Sequence, residues 1–112
     1  MLQRVTFVIL LLLVVLSGYS ARAAEQAIWI DVRSAEECAA EHVPGALNVP
    51  HDVIGERIGE MTTDRDQVIY LYCGSGRRAG MAQHTLLELG YTEVVNVGGL
   101  EQAKKVSAAA KN

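Results

Sequence analysis

The sequence predicts an α/β fold built on a small, mainly parallel sheet of four to five strands with helices on both faces. Three observations carry this expectation. Short apolar runs alternate with helical patterns, in the order β-α-β-α-β-α-β-α. One run, residues 67–72 (QVIYLY), is apolar enough to be a central strand covered on both faces. Asp31, Asn48, Cys73 and Asn96 each fall at or near the end of an expected strand, the edge at which parallel sheets build ligand sites.

Each element has its own signal. Residues 27–31 (AIWID) form a short apolar run ending in Asp31 and read as a buried strand. In residues 34–42 (SAEECAAEH), Ser34 is an N-cap with Glu37 at capping-box spacing. Pro44-Gly45 ends that helix, and residues 46–50 (ALNVP) form a second short strand stopped by Pro50. Val53, Ile54, Ile58 and Met61 recur at helical spacing over residues 51–61, although two glycines weaken the pattern. After the polar connection 62–66 and the central strand, residues 78–90 read as a helix. Ala82, Leu86 and Leu89 share one face of it, and Gly90 lies past its end. Residues 92–97 (TEVVNV) form the last strand, broken by Gly98-Gly99, and LEQAKKV is a short last helix. The tail, residues 107–112, is expected to fray.

The first part of the 112-residue chain is not domain material. Arg4 precedes an apolar run over residues 5–16, and Ala21-Arg22-Ala23 is an A-x-A-like cleavage site. The run is shorter than the roughly 20 residues that cross a bilayer. Residues 1–23 therefore read as an export signal and residues 24–112 as a single domain, with cleavage one residue later or retention as an anchor as the alternatives. Of the 10 basic residues only Arg4 and Arg22 fall in the leader, which has no acids. The remaining chain carries 8 basic and 13 acidic residues, a net −5. That balance argues against a nucleic-acid partner. After cleavage no membrane partner is expected, and the localisation is periplasmic.

Against this acidic background, residues 73–78 (CGSGRR) concentrate positive charge beside a cysteine. Small exported domains often carry disulfides, so a Cys38–Cys73 bridge is a serious competing reading. A metal site is weaker, because His42, His51 and His84 show no ligand spacing with the cysteines. A nucleophile fits the local pattern best. Glycines let backbone amides turn inward, and a helix begins directly after the loop with its free N–H groups facing the same point. A sulfur held there is favoured as thiolate. Arg77 and Arg78 supply charge for an oxyanion, although adjacent helical residues diverge by about 100° and one of the pair is expected to face solvent. The Cys-x5-Arg spacing of tyrosine-phosphatase-like loops fails, since position 79 is alanine.

These motifs resemble the single-domain rhodanese family of thiosulfate sulfurtransferases, above all its small exported phage-shock type. Residues 31–50 (DVRSAEECAAEHVPGALNVP) are similar to the family's first block, residues 72–80 (YCGSGRRAG) to its six-residue active-site loop, and residues 89–100 (LGYTEVVNVGGL) to a third conserved segment. The likeness implies a rhodanese-like three-layer fold. It implies that Cys73 is the nucleophile that carries a persulfide. The amides of Gly74, Ser75, Gly76, Arg77 and Arg78 would cradle the outer sulfur, and a loop arginine would bind the sulfonate of thiosulfate. Asp31 and Arg33 would support the site edge. Cys38 stands where the family usually has an aromatic residue, so it is expected packed against the sheet and out of bridging reach of Cys73.

The resemblance further implies sulfur transfer from thiosulfate, or another sulfane-sulfur donor, to cyanide, a small thiol or a protein thiol. No metal or other cofactor is implied, and the chain is expected to be a monomer. Two other readings remain: a persulfide carrier that docks a partner protein, and a thiol redox protein with Cys38 as resolving cysteine.

Overall fold

A computed structural model describes residues 26–110; the expected export signal, residues 1–23, lies outside them. Four parallel strands form one sheet in the order β2-β1-β3-β4. In chain order the elements are β1 (Ile28–Asp31), α1 (Ala35–Ala40), β2 (Leu47–Asn48), α2 (Ile54–Met61), β3 (Ile69–Cys73), α3 (Arg77–Glu88), β4 (Val94–Gly99) and α4 (Leu100–Ala110). The sheet is parallel because every connection contains a helix that returns the chain to the starting edge. All strand C-termini therefore lie together.

Side-chain alternation divides the core. Ile30, Val32, Ile69, Leu71 and Cys73 point to one face and pack with Ile54 and Ile58 of α2 and Ala79, Ala82 and Leu86 of α3. Fully burying a side chain such as Ile30, Ile69 or Leu71 stabilises the fold by about 1.5–3 kcal/mol. The opposite face is smaller. There Tyr72, Val43 and Ala103 are buried, with Trp29, Val97 and Leu100 packed around them and α4 as cover. Trp29 and Tyr70 meet edge to face on this side, with ring centroids 4.9 Å apart.

Helix α1 is started as its sequence predicts. Ser34 Oγ accepts the Glu37 N–H at 3.2 Å, and Glu37 Oε1 accepts the Ser34 N–H at 3.3 Å. At its other end the His42 ring donates to the Cys38 carbonyl at 2.8 Å. The chain then returns under Tyr72, whose hydroxyl accepts the Val43 N–H at 2.9 Å. Burial, first of all, pushes the Tyr72 hydroxyl up to about 12, so it stays protonated.

Two expectations at the C-terminal end need correction. Gly98-Gly99 does not break the last strand. β4 runs through both glycines and pairs Tyr72 with Gly98 and Cys73 with Gly99, after a bulge that leaves Val97 without an opposite residue. Nor does the tail fray at residue 107. Helix α4 continues to Ala110, because three alanines are strong helix formers and Ser107 is buried. Residues 111–112 lie outside the described part.

Asp31 and Arg33 form a buried pair. Arg33 donates Nε to Asp31 Oδ1 at 3.0 Å and Nη2 to Oδ2 at 2.7 Å, and its backbone N–H reaches Oδ1 at 2.9 Å. Asp31 is 0% exposed and Arg33 6%. The same guanidinium donates to the Glu41 carbonyl at the end of α1. Asp31→Asn leaves the guanidinium buried without its counter-charge. Such a loss destabilises by about 3 kcal/mol, and the urea midpoint should fall accordingly. An unchanged midpoint would show that the pair contributes nothing to the fold.

Candidate active site

Strand β3 delivers Cys73 to the carboxyl edge of the sheet, where it is only 1% exposed. The turn into α3 is tight because Gly76, the N-cap, adopts φ +97°, a left-handed conformation that suits glycine. This turn aims amides at the sulfur. Cys73 Sγ accepts the Gly76 N–H at 2.9 Å and the Ala79 N–H at 3.4 Å. Burial alone pushes the thiol up. The N–H groups of Ala79, Ser75, Gly76 and Arg78 outweigh it, so the net shift is downward, toward thiolate.

Of the amides expected to line the cradle, that of Gly76 hydrogen-bonds the sulfur, and the Ala79 amide joins it. Ala79 escapes sequence reading because an alanine contributes only its backbone, and only the helix geometry aims it. The amides of Gly74, Ser75, Arg77 and Arg78 make no hydrogen bond to Sγ, although those of Ser75 and Arg78 help to lower the thiol.

The two arginines part company. Arg78 folds back to Glu37 of α1, with Nη1–Oε1 at 2.8 Å and Nη2–Oε2 at 3.1 Å. The Arg78 hydrogen bond, first of all, pulls the Glu37 carboxyl down to about 2. Arg78 Nη2 would lie 3.5 Å from a Cβ placed on Gly74, so the guanidinium sits against the loop rim. Arg77 is exposed and makes no side-chain hydrogen bond or ion pair among the described residues. Glu37 is visible in the sequence as a capping residue. Its second task joins positions 41 residues apart, beyond any local signal.

Strand β4 braces the loop from behind. Asn96 donates Nδ2 to the Gly76 carbonyl at 2.9 Å and accepts the Gly98 N–H at 2.9 Å. A Cβ on Gly99 would stand 2.5 Å from the Gly74 carbonyl oxygen, so only glycine lets strand and loop approach this closely. The sequence places Asn96 at a strand end and the two glycines beside it, but does not show what they touch.

Asp31 and Arg33 are not brought to the sulfur. Asp31 pairs in register with Tyr72 and shares its face, opposite to that of the neighbouring Cys73. Cys38 lies on α1, 8% exposed, with its thiol pushed up by burial and by the Asp31 carboxylate. Both cysteines are free. No group of three or more His, Cys, Asp or Glu side chains among the described residues is arranged to hold a metal.

An α/β scaffold with an amide-ringed cysteine at the carboxyl edge of a parallel sheet is an architecture for chemistry on sulfur or on oxyanions. Comparison makes the class specific. Residues 17–105 match the rhodanese-like domain family. The chain is 45% identical to the thiosulfate sulfurtransferase PspE of Escherichia coli, over 65% of this chain and 70% of that protein. It is 39% identical to a sulfurtransferase of Allochromatium vinosum, over 67% of this chain and 68% of the relative. Two further relatives are matched over 36% and 54% of their own length. A rhodanese structure from E. coli, containing anions, superposes with a TM-score of 0.66 at 43% identity, over 68% of this chain and 89% of that one. The chain belongs to the rhodanese-like domain family, and sulfur transfer is the activity that this membership and these relatives support.

The close approach of β4 to the loop is directly testable. Gly99→Ala forces the Gly74 carbonyl away and loosens the amides around Cys73. Expected are a loss of about 2 kcal/mol or more and an upward move of the Cys73 titration, followed by ultraviolet absorbance of the thiolate. Gly59→Ala is the control. Its Cβ meets nothing within 4 Å on an exposed part of α2, and it should be neutral or slightly stabilising.

Proposed function

We propose that this chain moves the sulfane sulfur of thiosulfate through a persulfide on Cys73. The observation that carries the reading is the set of N–H groups at the head of α3 directed at Cys73 Sγ, which lowers the thiol despite its burial. The thiolate attacks the outer sulfur of thiosulfate. The S–S bond of thiosulfate breaks, sulfite leaves, and Cys73 carries the sulfur. Cyanide or a thiol then removes it, and the thiolate returns. Amides that stabilise the anion before transfer stabilise it again afterwards, without reorganisation. The E. coli rhodanese of matching fold holds anions, in keeping with a cradle for thiosulfate.

Arg78 is the arginine suited to the sulfonate. A guanidinium has five N–H donors, and the pair of bonds to Glu37 leaves the others free at the loop rim. Glu37 also holds the head in place, so little side-chain entropy is lost on binding. Arg77 contributes through its place in the helix rather than through its guanidinium. Asp31 and Arg33 support the site at a distance, by holding the end of β1 and the return of α1. A thiol redox cycle is less well supported, because Cys38 sits beside Asp31 on the face opposite the Cys73 side chain. We place the protein in the periplasm as a monomer of residues 24–112, on the export signal read from residues 1–23.

Two measurements test the reading. Thiosulfate should add one sulfur atom to the intact mass and cyanide should remove it, and Cys73→Ser should do neither; an adduct on the serine variant would refute the assignment. In steady-state kinetics Arg78→Gln should raise KM for thiosulfate about tenfold, the loss of one charge-assisted interaction. The effect of Arg77→Gln should be several times smaller, and the reverse order would assign the sulfonate to Arg77.

A further inference from the structure

Beside the loop lies an open cleft of about 440 Å³. One wall is the first turn of α1, residues 34–36, and the other is the turn between β2 and α2, residues 50–53. Arg78, whose guanidinium sits on the loop rim, joins the cleft to the loop. The volume suits a small molecule. Neither cap nor core explains the imidazole that stands in this cleft.

Each of the other two histidines has a local partner. The His42 ring binds the Cys38 carbonyl at 2.8 Å, and His84 pairs with Glu88 at 2.9 Å. His51 is half-buried, yet its imidazole has no hydrogen bond and no ion pair among the described residues. Its backbone is nonetheless anchored, because its N–H donates to the Val32 carbonyl at 3.0 Å. The charged groups sharing the cleft with it are Glu36, Asp52 and Arg78, the last ion-paired with Glu37.

We infer that the cleft receives a low-molecular-weight thiol as sulfur acceptor and that His51 takes its proton. The inference rests on the persulfide reading above. Most thiols arrive protonated near neutral pH and must ionise to attack, and imidazole is the side chain suited to accept that proton. The thiol S–H bond breaks and its proton goes to the His51 ring. The acceptor sulfur forms a bond to the outer sulfur of the Cys73 persulfide anion. The bond between that sulfur and Sγ breaks, and its electron pair stays on Sγ. The products are an acceptor persulfide anion, the Cys73 thiolate and an imidazolium, with no oxidant or reductant consumed. Sulfite attacks as an anion and does not need the step.

The test separates the two acceptors. The full chain is loaded with thiosulfate, freed of excess donor, and discharged with 2-mercaptoethanol or with sulfite across a pH series. His51→Gln and His51→Asn are compared with wild type, and His84→Gln, on the exposed side of α3, serves as reference. Sulfur uptake seen in the intact mass reports that a variant is folded. Both His51 variants should lower the ratio of thiol to sulfite discharge about tenfold or more at neutral pH. In them the thiol branch should follow the free thiolate and fall steadily as pH drops, whereas wild type and His84→Gln hold a plateau through the neutral range. A ratio within about twofold of wild type, with the same pH profile, would overturn the role of His51 while leaving the persulfide intact. A wild-type chain that takes up no sulfur would instead overturn the underlying reading.

Discussion

The site depends on lowering the Cys73 thiol in a place that is almost closed to water. A buried thiol ordinarily resists ionisation, because no solvent meets the charge. Here backbone N–H groups of the turn and first turn of α3 replace that solvent, the nearest of them Gly76 at 2.9 Å. These are donors that a helix start leaves unpaired in any case. Directing them at Cys73 satisfies the helix terminus and the sulfur together. The same geometry explains why the loop is short: the strand ends at Cys73 and the helix begins at Arg77.

Such a cradle works only if its backbone cannot relax, and it is held from two sides. Behind it, Asn96 takes the Gly76 carbonyl and Gly99 lets β4 pass against Gly74. In front, Glu37 grips Arg78. Glu37 is itself ordered by the capping box that starts α1, so one carboxylate couples the beginning of α1 to the rim of the loop. With side chains 33% and 40% exposed, the pair is partly screened by solvent, and its value lies in position more than in raw stability.

The two faces of the sheet divide the polar work. Cys73 points into the larger core between α2 and α3, which keeps water from the inner side of the sulfur. Asp31, Arg33 and the Tyr72 hydroxyl lie on the other face, where they tie the end of β1 to the chain leaving α1. The pair lies away from the sulfur, as the alternation of side chains along parallel strands requires.

Much of this was legible in the amino-acid sequence, because the signals are local. Alternating apolar runs and helical patterns specify a parallel sheet. Ser34 and Glu37 announce the start of α1, and a cysteine between a strand and a glycine-rich helix start announces an anion cradle. The ends of elements were less legible. Gly98-Gly99 looked like a break, but pairing with β3 carries the strand through, and packing of Ser107 carries α4 past the expected fray point. What only the tertiary structure decided are contacts between distant positions: Arg78 with Glu37, Asn96 with Gly76, Gly99 against Gly74, and the face that Asp31 occupies. Sequence periodicity states which residues share a face of one element. It does not state which elements meet, and in this chain that meeting decides which arginine is held at the loop rim.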